Sequence, residues 1–277
     1  MKRKPYDLTI NISGHLMDLE IPKVMGILNV TPDSFYEKGR TPSDETIREK
    51  ITEYLAEEVD IIDIGGCSTR PGFVLPSESE ELERVNLGCR LLREMAPDLP
   101  LSVDTFRASV AKEAVEKWNA AIINDISGGE DPEMWTFVAD KKVAYVLTHN
   151  TPVSENADIT AESITVLSKK LNELHRLGVN DVIIDPGFGF AKSLDDNFRL
   201  LDELNEFCIF GCPVMVGISR KSMIYKTLGV GPEESLAGTI ALDSISLEKG
   251  ADILRVHDVR EAKETVKLFT RLKNISL

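Results

Sequence analysis

Short apolar runs rich in Val and Ile alternate with longer amphipathic stretches along the whole chain. The runs are Val24–Leu28, Ile61–Ile64, Leu101–Val103, Ala121–Ile123, Ala144–Leu147, Val182–Ile184, Val214–Val216 and Ile253–Val256. Each is too short for a helix and apolar without strict alternation, which predicts strands covered on both faces. Between them the spacing predicts helices over Thr46–Glu58, Glu78–Met95, Ala108–Lys117, Ala161–Leu177 and Arg260–Lys273. In Glu78–Met95, for example, Leu82, Val85, Leu87, Leu91 and Leu92 recur near helical spacing amid charge, marking one buried stripe. Lys221 to Gly250 reads as two helices broken near Gly229–Pro232.

Strand–helix alternation of this kind means a parallel sheet with right-handed crossovers. About eight such units in a chain of 277 residues favour closure into a (β/α)8 TIM barrel over an open sheet. Nothing linker-like divides the chain, so residues 1–277 are expected to form one α/β domain. Residues 1–22 stand outside the repeat. Leu8–Ile12 and Leu16–Leu19 around Ser13-Gly14 read as a β-hairpin, placed to plug the barrel's N-terminal end.

Each apolar run gives way to polar residues at its C-terminal end. Asn29 comes after the first, Gly65-Gly66 and Ser68-Thr69-Arg70 after the second, and Asp104 after the third. Asn124-Asp125, Thr148-His149-Asn150 and Asp185-Pro186-Gly187 close the next three, Ser219-Arg220-Lys221 comes after the seventh, and Arg255 and His257 bracket the end of the eighth. In a barrel these positions share one rim, the C-terminal face where such folds build active sites. Taken singly, each has an ordinary structural use as a helix cap or turn residue. Taken together they sort into two sets. Asp104, Asn124 and Asp185 suit a planar heterocycle with an amidine-like edge, because a carboxylate accepts two parallel N–H groups. Arg70, Lys221, Arg255 and His257, with Asn29, would neutralise a polyphosphate-sized anion, directly or through a divalent metal that Asn29 could ligate. Gly187 and Gly189 would let backbone approach beneath a flat ligand. The residues themselves reach an enzyme for a flat, nitrogen-rich heterocycle and a phosphorylated group, and leave the reaction open.

Composition narrows the partners. A formal net charge of −14 argues against nucleic acid and anionic membrane as partners, since both need a basic face. Cys67, Cys89, Cys208 and Cys212 are too few and too scattered for a disulfide framework, and no second Cys/His pair turns Cys208 and Cys212 into a zinc site. The basic start MKRKPYDLTI leads into no apolar segment, so a cytoplasmic protein with no membrane span is expected.

Seven stretches resemble the dihydropteroate synthase family: Met25–Phe35 (MGILNVTPDSF), Asp63–Gly72 (DIGGCSTRPG), Ser102–Thr105 (SVDT), Ile123–Gly129 (INDISGG), Asp185–Lys192 (DPGFGFAK), Gly217–Ser222 (GISRKS) and Gly250–Val259 (GADILRVHDV). They stand in family order over nearly the whole chain after the hairpin. The resemblance implies condensation of 6-hydroxymethyl-7,8-dihydropterin pyrophosphate with p-aminobenzoate to give dihydropteroate, with Mg2+ as cofactor and a homodimer as the assembly. It also implies site residues. Asp104, Asn124, Asp185 and Lys221 match those that hold the pterin. Asn29, Thr69, Arg70, Arg255 and His257 match the pyrophosphate site, with Asn29 on the metal. Phe35, Thr69, Pro71, Phe190, Lys221 and Ser222 match the p-aminobenzoate pocket, and Glu37 takes the place of an acidic residue near the reacting methylene.

This chain departs from the family pattern at three places. Tyr36-Glu37-Lys38-Gly39 comes after TPDSF where Ser-Asp-Gly-Gly is usual, Cys67 stands where Glu is common, and Thr148-His149-Asn150 replaces Met-His-Met. Cys67 reads as a packing residue. Two further readings share the pterin pocket: a methyltransferase domain acting on methyltetrahydrofolate, which would not need the TPDSF loop or the Arg255/His257 pair, and a silent pterin-binding paralogue.

Overall fold

The computed structural model describes residues 8–31, 43–67, 75–152 and 157–273. Its first element is the expected hairpin, β1 (Thr9–Ile12) against β2 (His15–Asp18), antiparallel, turning at Ser13 and Gly14, both with positive φ. Eight parallel strands come next: β3 (Lys23–Asn29), β4 (Ile61–Gly65), β5 (Leu101–Asp104), β6 (Ile122–Asp125), β7 (Ala144–Thr148), β8 (Val182–Asp185), β9 (Met215–Val216) and β10 (Ile253–Val256). Their order in the sheet is β8-β7-β6-β5-β4-β3-β10-β9. A single bridge between Ile184 and Val214, with the Ile184 amide donating to the Pro213 carbonyl at 2.8 Å, joins the two edges into a nearly closed barrel.

Around it lie α1 (Asp44–Ala56), α2 (Glu78–Met95), α3 (Ala108–Trp118), α4 (Met134–Lys141), α5 (Ile159–Leu177), α6 (Leu194–Asp202), α7 (Ser222–Leu228), α8 (Leu236–Glu248) and α9 (Val259–Leu272). Local chemistry sets their ends. Ser77 and Glu80 form a reciprocal capping box at the start of α2, and Asp158 accepts from the amides of Thr160 and Ala161 to start α5 two residues before the periodicity does. α4 and α6 are too short to display a full apolar stripe, and the sequence pattern does not single them out. β9 is shorter than its apolar run because Val214 is diverted: its amide donates to the Asp252 side chain at 2.8 Å.

Two apolar layers result from the period-two alternation of the strands. Outward side chains such as Ile62, Val103, Tyr145 and Ile184 meet the helices. Inward ones, including Met25, Ile61, Ile122, Ala144, Val146, Ile183, Met215 and Ile253, fill the lower barrel together with Ile10, Ile12 and Leu19 of the hairpin. The Asn11 amide donates to Asp181 at 2.8 Å, just before β8. The hairpin therefore forms the barrel floor, as the sequence suggests. No described helix is long and apolar enough to cross a membrane.

Ile10 is 1% exposed in this floor. Ile10→Ala is expected to lower stability by about 2–4 kcal/mol through lost burial and an unfilled cavity. Urea denaturation checks it, and an unshifted midpoint would mean that the hairpin does not contribute to the barrel's stability.

Candidate active site

The same alternation that sends Ile61, Ile122, Ile183 and Ile253 inward at the floor sends Asp63, Asn124, Asp185 and Arg255 inward two residues later. Ser102 and Asp104 join them from β5. The upper barrel is thus polar where the lower barrel is apolar, and its charges must find partners inside.

Arg255 organises them. Its Nε donates to Asp63 Oδ2 at 2.7 Å and its Nη2 to Asp104 Oδ2 at 2.6 Å. Asp63, wholly buried, also accepts from Asn124 Nδ2 at 2.9 Å and from Ser102 Oγ at 2.6 Å. Asn124 Oδ1 is left buried without a hydrogen-bond partner. The two sets read from the sequence are therefore not separate, because Arg255 of the cationic set is bound to the carboxylates of the other. Burial alone would weaken the Arg255 proton, yet Asp63 and Asp104 more than offset it and its pKa is raised. Burial pushes Asp104 up to about 7; Arg255 opposes the rise, while Asp63 and Asp125 add to it.

Lys221 and Asp185 form a second pair of environments. Burial lowers Lys221 to about 8 against the pull of Asp185, and burial raises Asp185 against Lys221 and a 2.8 Å hydrogen bond from the Gly187 amide. Lys221 Nζ donates to the Phe188 carbonyl and lies 4.8 Å from the centre of the Phe190 ring. Lys192 sits beneath, donating to the carbonyls of His149, Gly187 and Phe190 at 2.9, 2.9 and 3.2 Å. Positive φ at Gly187, Gly189 and Ala191 curls this segment around the two lysines. The glycines serve the protein's own contacts. A Cβ at Gly187 would come within 2.0 Å of the His149 carbonyl, and one at Gly189 within 3.1 Å of Lys221 Cδ. That revises the expectation that both make room for a flat ligand.

Asn29 ends β3 beside Gly65, where an added Cβ would lie 3.0 Å from Asn29 Oδ1. His257 comes just after β10, its amide donating to Ser219 Oγ at 3.2 Å, and Ser222 opens α7 next to Lys221. Among the described residues no three His, Cys, Asp or Glu side chains converge as a metal cage. Magnesium keeps water and phosphate ligands and needs few protein oxygens, so a lone Asn29 carbonyl on the rim is a compatible protein donor. Phe35, Glu37, Thr69, Arg70 and Pro71 lie outside the described residues. Cys67 is 8% exposed, its thiol pushed up to about 11 by burial, which suits packing and not nucleophilic attack. His149 is also structural: both ring nitrogens face hydroxyls, Ser163 at 3.2 Å and Thr151 at 3.0 Å.

Asp63 is a site residue that strand patterning does not single out. Its signal is a carboxylate in the middle of Ile-Ile-Asp-Ile, where a buried charge demands a partner.

Comparison with known proteins places these features among relatives. A family model described as pterin binding enzyme matches residues 25–257. The chain is 41% identical to the dihydropteroate synthase of Bacillus subtilis over 255 residues, covering 91% of this chain and 88% of that protein. It superposes on a Xanthomonas albilineans dihydropteroate synthase solved with 4-aminobenzoic acid with a TM-score of 0.90, at 36% identity, covering 98% of this chain and all of that one. The same organism's enzyme in complex with 7,8-dihydropteroate gives a TM-score of 0.87 at 35% identity, covering 97% of this chain and all of the other.

Asp63→Asn should remove one of the two ion pairs of the buried Arg255 and place an amide donor against its guanidinium. A loss of about 3–5 kcal/mol is expected from breaking a buried pair on one side. Thermal or denaturant unfolding reads this out, and a variant as stable as the parent would show that Asp104 alone suffices for Arg255.

Proposed function

We propose, since this chain belongs to the dihydropteroate synthase family, that it joins 6-hydroxymethyl-7,8-dihydropterin pyrophosphate to p-aminobenzoate, releasing dihydropteroate and pyrophosphate in cytoplasmic folate synthesis. The observation that carries this reading is the buried polar layer in the barrel mouth, where carboxylates and an unpartnered amide oxygen face inward beside two lysines and an arginine. Asp185, Asn124 and Asp104 would take the pterin's N–H edge, and Lys221 its oxygen and nitrogen edge. Phe190 and Ser222, flanking Lys221, would hold p-aminobenzoate, with Phe35, Thr69 and Pro71 assigned there by resemblance alone. Asn29, Arg255 and His257, with Thr69 and Arg70, would hold the pyrophosphate.

The chemistry asked of these residues is modest. The bond between the pterin methylene carbon and the pyrophosphate oxygen breaks, its electron pair leaving with pyrophosphate while the ring delocalises the positive charge. The aniline nitrogen then bonds to that carbon and loses a proton to solvent. Arg255 and His257 place positive charge where negative charge develops on the leaving group. A Mg2+ ion held through Asn29 would add to that charge. Asp104 and Asp185 stabilise the cationic ring, and Glu37 would face the methylene. The aniline is a weak base, so no strong general base is needed, which favours a dissociative path over acid–base catalysis.

A homodimer is supported by α8. Its buried positions carry Thr239, Asp243, Ser246 and Leu247, whereas Ala237, Ala241 and Ile245 are exposed. An apolar outer face of this kind suits burial against a second copy.

Turnover is the direct test: p-aminobenzoate and the pterin pyrophosphate should yield dihydropteroate, and inactivity with both substrates would sink the reading. Asp185→Asn should weaken pterin binding by at least ~2 kcal/mol, since an accepting carboxylate becomes a clashing donor; calorimetry checks it. The pH profile of kcat/KM should be a narrow bell. It rises as Asp104, near 7, loses its proton and can accept N–H groups, and it falls as Lys221, near 8, loses its charge. Lys221→Arg should remove the alkaline limb while leaving the acidic one in place.

A further inference from the structure

We propose that Thr148 is a further binding residue for the heterocycle, its hydroxyl accepting one N–H of the ligand's nitrogen-rich edge between Asn124 and Asp185. This rests on the reading of the site as a pterin pocket. Thr148 ends β7 and is completely buried. Ala144 and Val146, its neighbours at even spacing, both belong to the inner barrel layer, so Thr148 points inward as well. Across the sheet it is the register partner of Asp185 on β8, and Val146 below it is the partner of Asn124 on β6. Three polar side chains thus stand on the inner face of three adjacent strands, Thr148 level with Asp185 and one inward-facing step above Asn124.

Each of the three keeps an acceptor that the protein leaves unfilled. Thr148 Oγ1 is buried with no hydrogen-bond partner, and so is Asn124 Oδ1. Asp185 accepts from the Gly187 amide through Oδ1, leaving Oδ2 for a ligand. The other buried groups without a partner, Thr160, Asp243 and Thr270, lie on α5, α8 and α9 and have no part in the rim. An unpaired buried hydroxyl lowers stability relative to Val, which has the same shape and a strand preference at least as strong. A hydroxyl placed without a partner at this level fits a group that a ligand completes. A run of acceptors calls for a run of donors. That selects a ring with an exocyclic amine beside ring N–H groups, as on an aminopyrimidinone, and disfavours rings that place carbonyl oxygens there.

Thr148→Val and Thr148→Ser, titrated calorimetrically with the dihydropterin pyrophosphate in the absence of p-aminobenzoate, test this. Val should bind about tenfold more weakly, the scale of one lost hydrogen bond, and Ser within about threefold of the parent. KM for p-aminobenzoate should be unchanged in both, and the free Val protein should melt no lower than the parent. Parent-like pterin affinity in Thr148→Val would overturn the proposal while leaving the function intact. A lower melting temperature with both substrates impaired would assign Thr148 to packing instead, and no pterin binding by the parent protein would remove the functional reading and this one together.

Discussion

A guanidinium held inside a barrel is the constraint around which the upper half of this molecule is arranged. Arg255 enters from the last strand, so its charge must be met by carboxylates from strands on the far side of β3. Asp63 and Asp104 meet it with bonds of 2.7 and 2.6 Å. Once Asp63 is committed in this way, Ser102 and Asn124 fill its remaining lone pairs, and the amide oxygen of Asn124 is turned away with nothing to bind. Pairing within the protein thereby leaves a defined residue of unspent acceptors, which is what a ligand can recognise.

The lysines play the complementary part. Lys192 donates to the His149 carbonyl after β7, and both Lys192 and Lys221 donate to backbone carbonyls of the segment after β8. Left-handed residues at 187, 189 and 191 turn those carbonyls toward them. Lys221 is therefore restrained before any substrate arrives, and burial makes its ammonium give up its proton more readily than a free one.

Much of this was legible in the chain. Short unbroken apolar runs located the barrel strands, because strands sandwiched between two apolar layers are nearly all Val, Ile and Leu. Polar residues after those runs located the rim, and Asp104, Asn124 and Arg255 prove to be in direct contact or joined through Asp63. What patterning could not show is where a polar residue interrupts a strand to serve another strand. Asp63 was hidden inside an apolar run for that reason, since its partner lies 192 positions away in sequence. The glycines after Asp185 were legible as backbone freedom but not in purpose, because the objects they avoid, the His149 carbonyl and the Lys221 stem, come from elsewhere in the chain. The shortness of β9 was hidden likewise: Asp252 competes for the Val214 amide from 38 residues on.

That short strand has a mechanical side. The barrel is stapled all round by ladders of hydrogen bonds except between β8 and β9, where one bridge closes it. Asp185 stands on one bank of this seam and Lys221 just past the other, and the bond from Lys221 to the Phe188 carbonyl already crosses it. A heterocycle gripped by both residues would act as a missing rung. Occupancy would then tighten the weakest stave of the cask, so that the pocket is sealed and the wall completed in one event, with the stability of the whole tied to the concentration of what it binds.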